Sequence, residues 1–336
     1  MDRRDGDPRC YVGAGMADPV QHARQIARAG HGPAAVALLE DAGRRGNSTA
    51  FAELAAWLLR GDIIPRDVSR ARSTLRQAVE IGHVDAALLE VALTANGTGA
   101  PADWRGAFSL LAVAARNDPV AAQQLALVRA MKLDDAGYPS TAFDIEVLSA
   151  EPYIAVCRGA LSAQESLHLA AIANPLLEPS VVVDPVTRRP VAHPVRSSFN
   201  ATIGPAQETL PIAAFSRRLE VLTNTPLGNG EPLQILRYTV GQEYKLHSDA
   251  IPGEPNQRTV TAITYMNDGY DGGETYFPSQ QIVVTPRAGD ILIFHNTTAD
   301  GVADPRSRHA GLPVTKGVKW IATKWLRNSR YNPWDS

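Results

Sequence analysis

The chain has 336 residues, 44% of them hydrophobic, and a formal net charge of −2. That is long enough for two globular domains and lacks the basic footprint of a nucleic-acid binder. No run of about 18 apolar residues is present, so no membrane span is expected, and two cysteines, Cys10 and Cys157, are too few for a disulfide framework and point to a reducing cytoplasm.

In chain order, residues 1–16 read as a disordered extension without the apolar centre of a signal peptide, and Met16 is an alternative start. Residues 17–135 are rich in Ala, Leu and Arg and read as helices. They also repeat. A shift of 36 places Ala50 on Ala86, Gly61 on Gly97, Pro65 on Pro101, Asp67 on Asp103 and Leu75 on Leu111. The same shift places Ala35 and Leu39 on Ala71 and Leu75. Such a period marks stacked helix pairs, an α-solenoid. Small Ala residues allow close helix approach, and Gly and Pro end one helix before Asp opens the next. The Gly-x-x-x-Pro-x-Asp turn at Gly61, Pro65 and Asp67 resembles Sel1-like repeats more than tetratricopeptide repeats. Residues 120–131 look like half of a further unit that packs on the C-terminal domain. The solenoid is either a structural cap or a concave surface for a peptide or protein.

Residues 136–151 read as a linker and a first strand, with Gly137 and Pro139 as breakers. Apolar alternation predicts strands over 143–148 and 153–156. Ser162 and Glu165 form a capping-box signature that opens a helix. From Leu233 onward, β-branched and aromatic runs punctuated by Gly, Pro, Asn and Asp predict a β-sandwich or jelly roll.

The chemistry-bearing residues lie in that last block. His247 and Asp249 stand two apart in a strand-like run, His309 comes far downstream, and Lys319 lies ten positions later. A lone His-x-Asp is more often an ordinary pair of polar residues. In this order, two imidazoles and one carboxylate match the facial triad that holds Fe(II) with open positions for substrate and O2. A cation at 319 suits the far carboxylate of 2-oxoglutarate. His295 beside Phe294 is a weaker candidate for lining the same pocket, and His193 reads as exposed.

The intervening sequence resembles the prolyl 4-hydroxylase family. The pieces that carry the resemblance are Gly241-Gln242-Glu243-Tyr244, His247-Ser248-Asp249, Arg258-Thr259-Val260, Gly272-Gly273-Glu274-Thr275, Arg287-Ala288-Gly289-Asp290, His309-Ala310-Gly311 and Lys319-Trp320-Ile321-Ala322-Thr323-Lys324-Trp325. It extends upstream through Arg196-Ser197-Ser198 and covers residues 152–336. After the N-terminal α-solenoid (17–135) read from the repeat, it implies a double-stranded β-helix, or jelly-roll, dioxygenase domain (152–336). It further implies Fe(II) on His247, Asp249 and His309, with 2-oxoglutarate and O2 as cosubstrates and ascorbate as reductant. Lys319, Tyr238, Tyr265 and Trp325 would hold the cosubstrate. Arg196, Ser198, Tyr244 and Arg258 would line a groove for a peptide or protein, under a mobile loop at 184–194. No protein base is assigned. Leu246, Arg308 and Leu312 depart from the family pattern without removing a ligand, and Arg308 brings a charge near the mouth. The activity so implied is that of a bacterial-type peptidyl hydroxylase acting on proline in a peptide or protein, which the repeats could recruit. A hydroxylase of a free amino acid or small metabolite is the alternative, and a degenerate scaffold a third reading that the intact triad disfavours.

Overall fold

A computed structural model describes the backbone of residues 18–183, 190–192 and 195–334. The extension assigned to 1–16, and His193 and residues 184–189 of the mobile-loop assignment, lie outside these described residues. Contacts divide the chain into two compact units, Met1–Glu90 and Val91–Ser336.

The helices come first. They are α1 (Pro19–Arg28), α2 (Gly32–Arg44), α3 (Ser48–Arg60), α4 (Val68–Glu80), α5 (Val84–Asn96), α6 (Trp104–Ala114) and α7 (Pro119–Ala130). The 36-residue period is visible in their boundaries: α3 and α5 begin 36 residues apart, as do α4 and α6. Asp67 and Asp103 each accept a hydrogen bond from a backbone N–H in the first turn of the helix they precede, which satisfies a donor that the helix itself cannot. In the first unit Ala35, Leu39, Ala50, Leu54, Ala71 and Leu75 are buried, so the repeating small and branched residues are the packed ones. Buried Arg72 meets Glu90 at 2.7 Å, and Glu90 also accepts from Arg76.

The second unit continues with β1 (Ile145–Ala150), β2 (Tyr153–Cys157), α8 (Ala163–Ala173), β3 (Glu178–Pro179), β4 (Val181–Val183), β5 (Pro190–Ala192), β6 (Phe199–Ile203) and α9 (Leu210–Thr223). After these come β7 (Leu233–Tyr238), β8 (Tyr244–His247), β9 (Arg258–Tyr265), β10 (Asp271–Gly272), β11 (Thr275–Phe277), β12 (Ile282–Val284), β13 (Ile291–His295), β14 (His309–Gly311), β15 (Val314–Lys316) and β16 (Lys319–Arg327). The Ser162–Glu165 capping box opens α8 as its sequence signature requires.

An eight-stranded sheet runs in the order β1-β2-β13-β9-β16-β7-β6-β3, and a four-stranded sheet in the order β12-β11-β14-β8. Every pairing in them is antiparallel. Alternation along the strands builds two cores. Ile235, Ala262, Ile291, Ile293 and Ala322 join Leu169, Phe215 and Leu219 of α8 and α9 on one face. Their strand neighbours Leu236, Ile263, Leu292, Phe294 and Ile321 join Phe277 and Val284 of the smaller sheet on the other. A sheet covered on both faces reads as continuous apolar sequence rather than strict alternation, as in Ile291-Leu292-Ile293-Phe294. On its far side α9 meets α7, and buried Arg217 of α9 donates to the carbonyl of Ala95 at 2.8 Å with its guanidinium over the Trp104 ring.

Candidate active site

Strand register assembles the metal-ligand candidates. β14 pairs antiparallel with β8 so that His309 lies directly across from His247, and their ring centroids are 4.3 Å apart. Asp249 lies two residues past the end of β8, only 4% exposed. One ligand atom from each of His247, Asp249 and His309 lies within 4.8 Å of the other two. Asp249 Oδ1 is 3.5 Å from His247 Nε2, and Asp249 Oδ2 is 3.8 Å from His309 Nε2.

Hydrogen bonds fix the imidazoles for this task. His247 Nδ1 donates to the carbonyl of Lys245 at 2.7 Å, and His309 Nδ1 donates to the carbonyl of Ser307 at 3.2 Å. A carbonyl only accepts, so each Nδ1 carries the proton and each Nε2 presents a lone pair. Burial lowers the His309 pKa to about 4, which keeps that ring neutral. Burial pushes the Asp249 carboxyl upward, but its contacts with His247 and His309 and the hydrogen bond from Thr261 hold it well below the ordinary carboxylate range. Two neutral nitrogens and one anionic oxygen converging in a buried corner suit a divalent transition metal.

The pocket beside the triad is walled by β16 and β7 of the larger sheet. Lys319, Ile321, Thr323 and Trp325 all line it, as the period of two along β16 dictates, with Leu236 and Tyr238 from β7 alongside. Lys319 is buried, donates to the carbonyl of Gly273 at 2.6 Å, and has its pKa lowered by burial to about 8. Gly273 has φ +70°, and a Cβ there would lie 3.0 Å from Lys319 Cδ, so this glycine leaves room for the cation. Trp325 Nε1, also buried, has no hydrogen-bond partner among the described residues. An ammonium and an unused N–H donor in one apolar-walled pocket fit a dianion such as 2-oxoglutarate, and the adjacent donor set fits Fe(II).

The other sequence candidates divide. Tyr244 lines the pocket, and Arg196 bridges to it in antiparallel register with its guanidinium 5.6 Å from the Tyr244 ring. Ser198 is buried, its hydroxyl 3.1 Å from that of Ser180. Arg258 grips Glu231 through two nitrogens, at 2.6 and 2.8 Å, and covers the Trp325 ring at 4.0 Å. Tyr265 packs behind the pocket, its hydroxyl 2.7 Å from that of Thr275 and its ring 5.5 Å from Lys319 Nζ. His295 does not line the pocket; it is exposed and packs against Tyr153 at 5.1 Å. Thr275, Thr323 and Ile263 line the pocket and were not singled out in the sequence. For Thr323, the signal was its place two residues before Trp325 on the strand face that Lys319 and Ile321 also occupy.

Residues 233–327 match the family profile described as the 2OG-Fe(II) oxygenase superfamily. Prolyl 4-hydroxylase 1 of Arabidopsis thaliana is 39% identical over 201 residues, which covers 54% of this chain and 71% of that protein. Probable prolyl 4-hydroxylase 10 of the same plant is 34% identical over 211 residues, 56% of this chain and 73% of that one. Among solved structures, a viral collagen prolyl hydroxylase from Paramecium Bursaria Chlorella virus-1 in complex with 2OG aligns at 25% identity with a TM-score of 0.44, covering 54% of this chain and 99% of that chain. With a relative of this identity matched over more than two thirds of its length, the chain belongs to the prolyl 4-hydroxylase family and is a 2-oxoglutarate-dependent dioxygenase.

Proposed function

We propose that the protein hydroxylates a prolyl residue in a peptide or protein, consuming 2-oxoglutarate and O2 and releasing succinate and CO2. The observation that carries the reading is the extent of the match to prolyl 4-hydroxylase 1, whose 201 residues exceed the 233–327 core. Tyr244 and Arg196, side by side at the pocket edge, supply a ring face and a planar donor for an extended backbone.

In this reading His247, Asp249 and His309 hold Fe(II), Lys319 binds the distal carboxylate of 2-oxoglutarate, and Trp325 walls the pocket. Bound iron, 2-oxoglutarate and O2 supply the oxidising power that inserts oxygen into an unactivated C–H bond. The chain's own residues orient and exclude. The carbonyls of Lys245 and Ser307 fix the imidazole tautomers. Leu236, Ile263 and Ile321 keep the pocket dry, which strengthens the Lys319–carboxylate attraction. Tyr244 and Arg196 take the peptide, with Ser198 and Arg258 lining the same groove. No side chain is required as a general base. Ascorbate serves as reductant, and the helical repeats recruit the protein that bears the target. No helix among the described residues is long and apolar enough to cross a membrane. We assign the enzyme to a reducing, bacterial-type cytoplasm on its cysteine usage; Cys157 is buried in β2 with its thiol pushed up to about 11 by that burial.

The test is turnover with Fe(II) and 2-oxoglutarate against a panel of proline-containing peptides and a panel of free amino acids. Succinate release coupled to gain of one oxygen on a peptidyl proline is expected. Coupled turnover confined to free amino acids would replace the peptide reading with small-metabolite hydroxylation.

A further inference from the structure

The residues that hold Asp249 and His309 converge on one residue that touches neither. Asn296, just after β13, is completely buried. Its Nδ2 donates to Thr261 Oγ1 at 2.8 Å, and Thr261 Oγ1 donates to Asp249 Oδ2 at 2.7 Å. The direction of both bonds is set by proton count. The Thr261 hydroxyl has one proton, and the ionised carboxylate is acceptor-only, so the proton points at Asp249. The oxygen of Thr261 then faces Asn296 with lone pairs, and only the amide nitrogen can complete the contact. Asn296 Oδ1 is left without a partner among the described residues, so the donating end of the amide is the one this site uses.

The main chain of Asn296 reaches the other ligand. Its N–H donates to the Thr259 carbonyl of β9 at 2.8 Å, and its carbonyl accepts from Asp304 N at 2.9 Å. Asp304 caps the short turn Pro305–Ser307 by accepting from Arg306 N, and its carbonyl accepts from Ser307 Oγ at 2.8 Å. The Ser307 carbonyl is the acceptor that fixes His309 Nδ1.

We infer that Thr261 and Asn296 are positioning residues of the metal centre, with Asn296 setting the Asp249 carboxylate through the Thr261 hydroxyl and anchoring the turn that presents His309. Partners that orient metal ligands in this way typically contribute 10–100-fold to metal affinity. The inference rests on the triad holding a metal, and the experiment separates the two.

Cobalt(II) is titrated, without O2 or substrate, into metal-free full-length protein, following the visible ligand-field bands, with circular dichroism as a check on folding. Wild type binds and H309A does not if the triad is the site; failure of wild type to bind removes both readings together. T261V keeps the shape and removes the proton, and N296D replaces the donor with a competing acceptor. Each is expected to weaken cobalt binding by roughly 10–100-fold and to alter the bands, while T261S, which restores the hydroxyl, stays within about threefold of wild type. Wild-type affinity and spectrum in folded T261V or N296D overturn the inference while leaving the metal site intact. So does T261S binding as weakly as T261V, since packing rather than the hydroxyl would then be responsible. If T261V does not fold, N296D and T261S decide the matter between them.

Discussion

The ring of Tyr244 lies flat on the imidazole of His247, with centroids 3.5 Å apart and planes within 12°. One residue proposed for the substrate therefore also braces a proposed metal ligand. Ring pairs of this kind contribute about 0.5–1.5 kcal/mol beyond burial. Tyr244→Phe keeps the stack and is expected to leave metal affinity unchanged while raising the KM for peptide. Tyr244→Ala removes both functions and should also weaken metal binding by roughly 2–12-fold, from the same energy range. Equal metal affinity in the two variants would show that the stack does not brace His247.

For the ligands themselves, His247→Ala, Asp249→Ala and His309→Ala are each expected to abolish metal-dependent turnover, because the triad is the minimum protein set for such a centre. Asp249→Ala also leaves the Thr261 hydroxyl without its acceptor in a dry interior, a loss that costs about 1–3 kcal/mol. Its melting temperature should therefore fall in the metal-free protein. Near wild-type succinate production by any one variant would remove that residue from the metal sphere.

Much of this was legible in the sequence, and the reasons are local. The Asp67, Asp103 and Ser162 caps are contacts within three residues. The 36-residue period and the strand-face period of two also need only the chain itself. What escaped depends on partners that local pattern cannot supply. Arg258 was expected to face a groove, yet its guanidinium is committed to Glu231, 27 residues away. The larger sheet puts β2 beside β13, a pairing set by which faces must be buried together. Thr261 is one of several β-branched residues in that run, and only the fold of β9 brings its hydroxyl against Asp249.

If Lys319 binds the cosubstrate as proposed, cosubstrate affinity depends on pH. Its pKa of about 8 is depressed by burial, so the free site holds fewer protons than an exposed lysine above that pH. Binding a carboxylate favours the ammonium and raises the pKa in the complex. Affinity for 2-oxoglutarate is therefore expected to be flat below about pH 8 and to fall toward tenfold per unit above it, until the pKa of the complex is reached. Lys319→Ala should weaken 2-oxoglutarate binding by at least tenfold, because a charge-assisted bond in a dry pocket is lost, and should abolish the pH dependence. Calorimetric titration across pH 6–10 reads both, with unchanged cosubstrate affinity in Lys319→Ala moving the anion site elsewhere.

The proposed recruiting role of the repeats requires care over where the chain is cut. Removing residues 1–135 would take away the Ala95 carbonyl and the Trp104 ring that hold buried Arg217, 4% exposed, and the helix α7 that packs on α9. A lost hydrogen bond and cation–π contact together cost about 1–3 kcal/mol, or a fall in melting temperature of about 2–12 °C for a domain of this size. Such a truncation confounds recruitment with stability. Ending the deletion at Gly46, before α3, leaves every residue from 91 onward in place. If the repeats recruit, this shorter deletion should preserve kcat/KM on a short peptide and lower it at least roughly tenfold on the full protein carrying the same proline, since a second contact raises effective concentration by a larger factor than that. Melting curves and circular dichroism of both truncations must accompany the kinetics. A folded Gly46 truncation that turns over peptide and protein as the full chain does would show that α1 and α2 have no part in choosing the substrate.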